Sequence, residues 1–266
     1  GGDLDEGIQM LQESVTLLEG HRDLSLTYTY LSLSHWHQLD YKAGEVTAEL
    51  GLQTAQTPIQ EFYGHEMLGY VAMERNDDER ALMHLERCRE IAEENGMVAA
   101  VQSTQWSLGD THFSAGRYAD AVEEFEAYRK TSEFFGTEDR YSLMLYEKLG
   151  RALAMMGRFD DALQSLLLVH SALQRGEEAK AHPWDAILFC AVAMGNDMLF
   201  EEVFDLAFGV PEGESMFHTA IASALFSRLE RTGDSRLERC LNGARTSATW
   251  SKHESLARIV GVAVSA

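Results

Sequence analysis

Residues 107–128 read SLGDTHFSAGRYADAVEEFEAY and residues 148–169 read KLGRALAMMGRFDDALQSLLLV. Laid over each other, they are one unit written twice. Leu108-Gly109 matches Leu149-Gly150, and Gly116-Arg117-Tyr118 matches Gly157-Arg158-Phe159. Ala121, Phe125 and Tyr128 then match Ala162, Leu166 and Val169. Thirteen residues separate Leu108 from Ala121 and Leu149 from Ala162, and four more lead to Phe125 and to Leu166. Apolar residues at steps of three and four predict helices, and the glycine-led triplet between them predicts a tight turn. Gly109 and Gly150 on the first helix, with Ala121 and Ala162 on the second, let two antiparallel axes approach toward the short end of the ~8–10 Å range. An ordinary amphipathic bundle supplies apolar residues at helical spacing, but it does not repeat glycine, aromatic, alanine and apolar residue in register.

The same places recur upstream. Leu68-Gly69, Asn76-Asp77-Asp78, Ala81, Leu85 and Cys88 mark a unit over residues 60–95, with Gly96 as its C-terminal glycine cap. Leu31, Tyr41, Gly44 and Ala48 mark a less regular unit over 24–57, which carries Tyr28, Tyr30 and Trp36 on one short helix. Gly2-Asp3-Leu4, Gly7, Leu11 and Ser14 occupy second-helix places. The chain is therefore expected to begin in mid-unit as a piece of a longer protein; the other reading is a natural start behind a two-glycine remnant. The leucine places fall at 31, 68, 108 and 149, spacings of 37, 40 and 41.

These residues, in this order, resemble the tetratricopeptide repeat, whose standard unit is about 34 residues, so the variant here is a long-period one. The resemblance implies an all-α fold, a right-handed α-α superhelix in which antiparallel helix pairs stack as a solenoid. Long units of this kind are similar to those of kinesin light chains, cell-polarity adaptors, and the sensor regions of bacterial signal-transduction ATPases and LuxR-type activators. The motif does not select among them.

Residues 1–180 read as the regular array, and residues 181–266 as degenerate pairs of the same solenoid with a terminal helix. His182-Pro183-Trp184 starts a helix, Ile187 and Leu188 take core places, and Gly195-Asn196-Asp197 makes the turn. Phe200 replaces the small crossing residue, which predicts a splayed or shifted pair. Residues 209–215, with Pro211 and Gly213, read as a loop. A pair over 216–231 and 235–246 points Leu225, Leu229, Leu237 and Leu241 inward, with Gly233 between. Residues 251–264 read as a helix that caps the stack or opens a further unit.

With 22 basic and 43 acidic residues the net charge is −21. That repels a nucleic-acid backbone or an anionic membrane surface and attracts a basic peptide or protein face. A solvated convex face that keeps the protein soluble is the more ordinary explanation of the acids. Cys88, Cys190 and Cys240 form no C-x-x-C pair, which favours reduced thiols in a cytoplasmic protein. No run of about 18 apolar residues is present. The phosphate-loop, dinucleotide, zinc-protease and serine-hydrolase signatures are missing as well. His35 and His37 are two apart and point to different sides of a helix. No enzyme, no cofactor and no metal is expected.

The resemblance also implies where a partner sits. First helices line the concave surface, and the places flanking each Leu-Gly point into it. Those places are Thr29, Leu33 and Trp36, then Glu66, Tyr70 and Met73, then Trp106, Asp110 and Phe113, and finally Glu147, Arg151 and Ala154. Aromatic and acidic side chains there suit an amphipathic or basic segment anchored by apolar residues, unless the aromatics are core between units. The lysines and asparagines with which chaperone-binding members clamp a C-terminal carboxylate have no counterpart here. The expected function is a protein-interaction scaffold. The alternatives are an effector-sensing region that takes a small molecule or peptide, and a structural arm that self-associates through the C-terminal helix.

Overall fold

The computed structural model describes residues 2–136, 142–177, 182–208 and 219–237. All secondary structure among them is helical, and the chain divides into two compact units, Gly1–Thr137 and Glu138–Ala266. In the first unit, α1 (Gly2–Leu17) is followed by three pairs: α2 (Leu24–His37) with α3 (Tyr41–Gln53), α4 (Pro58–Glu74) with α5 (Asp78–Glu94), and α6 (Val98–Ser114) with α7 (Tyr118–Phe135). The second unit holds α8 (Ser142–Met155) with α9 (Phe159–Gln174), α10 (Trp184–Met194) with α11 (Asp197–Phe208), and α12 (Thr219–Thr232).

The chain turns at the same point after six of the described helices, α2, α4, α6, α8, α10 and α12. Leu39, Asn76, Gly116, Gly157, Gly195 and Gly233 all have left-handed backbone, with φ between 57° and 76°. Each lies eight residues beyond a buried apolar residue, namely Leu31, Leu68, Leu108, Leu149, Ile187 and Leu225. The register of the clear repeats thus runs through the half whose motif had decayed. Second helices start on side-chain caps where the sequence supplies them: Asp40 accepts from the Ala43 N–H at 3.0 Å and Asp77 from the Arg80 N–H at 3.2 Å.

The crossings are as tight as the small residues suggest. A Cβ placed on Gly109 would lie 2.5 Å from the Phe125 ring, and one on Gly150 would lie 2.6 Å from Leu166 Cγ. Phe125 and Leu166 are fully buried, each contributing about 1.5–3 kcal/mol of hydrophobic stabilisation. In α2 the glycine place holds Ser32, whose hydroxyl donates to the Gly44 carbonyl across the crossing at 2.8 Å. In α10 and α11 both small residues are gone, replaced by Leu188 and Phe200. Phe200 is nevertheless fully buried, with the Arg228 guanidinium of α12 lying 4.1 Å from its ring centroid.

Cys88 and Cys190 are free and buried. Cys240, Leu241, the loop at 209–215 and the expected helices over 235–246 and 251–264 fall wholly or largely outside the described residues. Among the described residues no helix is long and apolar enough to cross a membrane.

Candidate partner-binding face

In the unit Gly1–Thr137 the first helices α2, α4 and α6 carry a connected row of aromatic and hydroxyl side chains. Trp36 on α2 meets Tyr70 on α4, with ring centroids 6.5 Å apart. The Tyr70 hydroxyl donates to Glu66 Oε1 at 3.1 Å, one turn back on the same helix. Ser103 on α6 donates to that same oxygen at 3.0 Å, and Ser107 Oγ lies 3.5 Å from the Tyr70 hydroxyl. Burial pushes the Glu66 carboxyl up, and the Ser103 and Tyr70 hydroxyls pull it part of the way back. The Tyr70 phenol is pushed up to about 12 by burial and by the Glu66 charge. The indole N–H of Trp36 is buried without a hydrogen-bond partner.

The register between helices is regular. Trp36 and Tyr70 are 34 residues apart where their leucine places are 37 apart; Glu66 and Ser103 are 37 apart where theirs are 40 apart. Each lateral partner therefore sits three residues short of the repeat, about one helical turn. That offset is why Ser103 and Ser107 do not stand out when only motif-equivalent positions are compared.

The sequence-derived positions divide into several kinds. Leu33, Trp36 and Tyr70 pack around buried Ala48, Met67 and Leu68 while keeping part of their surface. Met73 packs with Tyr70 against Leu82, Leu85 and Leu108. Trp106 stands edge-on to Phe125 and Tyr128 of its own pair, at 6.1 and 5.4 Å, and Phe113 stands edge-on to Tyr118 at 5.4 Å. Asp110, on the same helix, is half-buried.

Thr29 is a correction to the expected lining. It is buried, its hydroxyl donates to the Ser25 carbonyl at 3.1 Å, and it lies against Gly51 of α3 inside the pair. Arg151 is another. In the unit Glu138–Ala266 it is clasped by both oxygens of buried Asp185 at 2.6 and 2.8 Å, by Glu147 at 2.9 Å and by the His182 carbonyl at 2.8 Å. This knot ties α8 to α10, so Arg151 and Glu147 are committed to structure, and Ala154 is buried beside them. The carboxylate partners of Arg151 hold its guanidinium charged despite the burial.

Two further sites escaped the sequence reading. His65 on α4 and His84 on α5 stand with their Nδ1 atoms 3.0 Å apart, at hydrogen-bonding distance. Burial lowers both rings, His84 to about 4, with the His65 charge adding to the effect on His84. On the second helices, Arg80 pairs with Glu45, and Arg89 pairs with Glu124 at 2.7 Å, each 35 residues away in the neighbouring pair. Among the described residues no group of three or more His, Cys, Asp or Glu side chains is placed to hold a metal ion. The Cys88 thiol donates to the Phe62 carbonyl at 3.4 Å, and burial pushes it well above the ordinary thiol range, the opposite of a nucleophilic cysteine.

No protein-family model matches this sequence, and no curated protein matches it. Among solved structures the chain is similar to the apo form of RapI, with a TM-score of 0.68 and 12% identity over 91% of this chain and 68% of that one. It is also similar to aspartyl phosphate phosphatase F from Bacillus subtilis, with a TM-score of 0.62 and 14% identity over 99% of this chain and 70% of that one. One of these neighbours is named for a phosphatase activity, so the architecture alone does not separate a binding protein from an enzyme. At such identities the likeness is one of fold, and it agrees with the geometry: the chain is an all-α helical-repeat protein.

Proposed function

We propose that this chain is a non-catalytic protein-interaction module of the long tetratricopeptide type, in which the face carried by α2, α4 and α6 receives a segment of a partner protein. The observation that carries the reading is the row from Trp36 through Tyr70 and Glu66 to Ser103 and Ser107. It crosses three successive first helices and combines half-buried rings with hydroxyls and a carboxylate. Rigid aromatic anchors beside a few polar groups are the usual make-up of a peptide-binding surface. The strong negative charge favours a basic or amphipathic segment and disfavours nucleic acid. The perturbed groups described above also serve packing: the cysteines are buried as thiols, the paired histidines join α4 to α5, and Arg151 joins α8 to α10.

A plug tests the reading without hollowing the core. Ser103→Arg places a long cationic side chain beside Glu66, where it fills the row from within. Affinity capture from native lysate, with helicity checked by circular dichroism, is expected to lose in the variant the partner that wild type retains. Equal capture by both proteins contradicts the reading.

A further inference from the structure

On the second helices, half-buried carboxylates are met by arginines from the neighbouring pair: Glu45 by Arg80, and Glu124 by Arg89. Glu66, between two first helices, breaks that rule. It is half-buried, and its hydrogen bonds from the Tyr70 and Ser103 hydroxyls both fall on Oε1, so Oε2 accepts from neither. Two neutral donors do not neutralise a carboxylate, and a partly desolvated charge without a counter-charge carries a cost in the empty state. The fold avoids that cost at Glu45 and Glu124 and retains it at Glu66. We propose that the cation missing here is supplied by the partner: the bound segment presents a lysine or arginine side chain to Glu66, beside the Trp36–Tyr70 wall.

The rings suit this occupant. The carbon stem of a lysine or arginine packs along aromatic surface while its charged end reaches a carboxylate, and a guanidinium or ammonium is favoured over a ring face. Oε1 is already engaged twice, so the incoming cation meets mainly Oε2 in a single-point contact, which either side chain can make. Whole-surface attraction by 43 acidic residues gives no preference for one place in a peptide; a pairing at Glu66 fixes it.

The inference rests on the binding reading above, and one experiment separates the two. A random dodecapeptide library displayed on phage is selected against the full wild-type chain and, in parallel, against Glu66→Gln. The amide oxygen of that variant still accepts from Tyr70 and Ser103, so the helices stay joined. Enriched wild-type binders are expected to carry Lys or Arg at one fixed position relative to an apolar residue. Synthetic copies are expected to bind Glu66→Gln about ten-fold more weakly, while copies with norleucine at that position bind both proteins alike. Binders with no fixed cation, or with a fixed cation and unchanged affinity for Glu66→Gln, overturn the inference and leave the binding face standing. No enrichment on wild type overturns both.

Discussion

Glu66 and Tyr70 could be named from the sequence because they flank the Leu-Gly pair, whereas the hydroxyls that complete their network could not. Ser103 and Ser107 lie one turn short of the motif-equivalent places, and that stagger is a property of how helices lie side by side. The same limit hid the His65–His84 pair, since nineteen residues separate two histidines that an inter-helix crossing brings within 3.0 Å. This pair has a consequence for stability. Burial, aided by Arg87, lowers His65 against the pull of Glu61, and burial, aided by His65 and Arg80, lowers His84 against Glu45, so both rings fall below the unfolded value of 6.5. The unfolded chain therefore takes up protons that the folded chain refuses. Stability from this source is fully present above pH 6.5 and is lost as the pH falls toward about 4. His84→Gln is expected to flatten the dependence of Tm on pH across that window, measured by circular dichroism melts. An unchanged slope would assign the acid sensitivity to other groups.

At the scale of the element, the repeated Leu-Gly and Ala carried the reading because they report a physical demand, the close approach of two helices. Gly109 states that demand most sharply, with a Cβ contact of 2.5 Å to a ring that is fully buried and cannot swing away. Gly109→Ala is expected to cost about 1–3 kcal/mol through overpacking, even though alanine is the better helix former. Gly7, in the interior of α1, is the control: nothing lies within 4 Å of its Cβ position, so Gly7→Ala is expected to add about 0.5–1 kcal/mol. Urea melts of the two variants decide the matter, and equal effects would contradict the packing account of the motif. Where the motif faded, only the side chains had changed. Ile187 to Gly195 and Leu225 to Gly233 keep the eight-residue step from buried apolar residue to left-handed turn. The loss of Leu-Gly and Ala in α10 and α11 conceals that step, because Leu188 and Phe200 fill the crossing with bulk.

At the scale of the whole molecule, composition indicated an acidic chain but not where its acids are committed. The structure sorts some of them: Glu45 and Glu124 tie neighbouring second helices through arginines, Asp185 and Glu147 hold Arg151, and Glu66 meets hydroxyls on the first helices. Fold class was legible because a repeat writes its architecture several times over. The row proposed as a binding face was legible only in part, because its shared side chains arise between repeats. The central claim is that the first helices of the unit Gly1–Thr137 carry the binding face. Hydrogen–deuterium exchange of the wild-type chain, with and without a saturating peptide or captured partner, tests it most directly. The account predicts new amide protection concentrated in α2, α4 and α6, diminishing as added salt weakens the complex. Protection confined to α3, α5 and α7, or to the unit Glu138–Ala266, would contradict it.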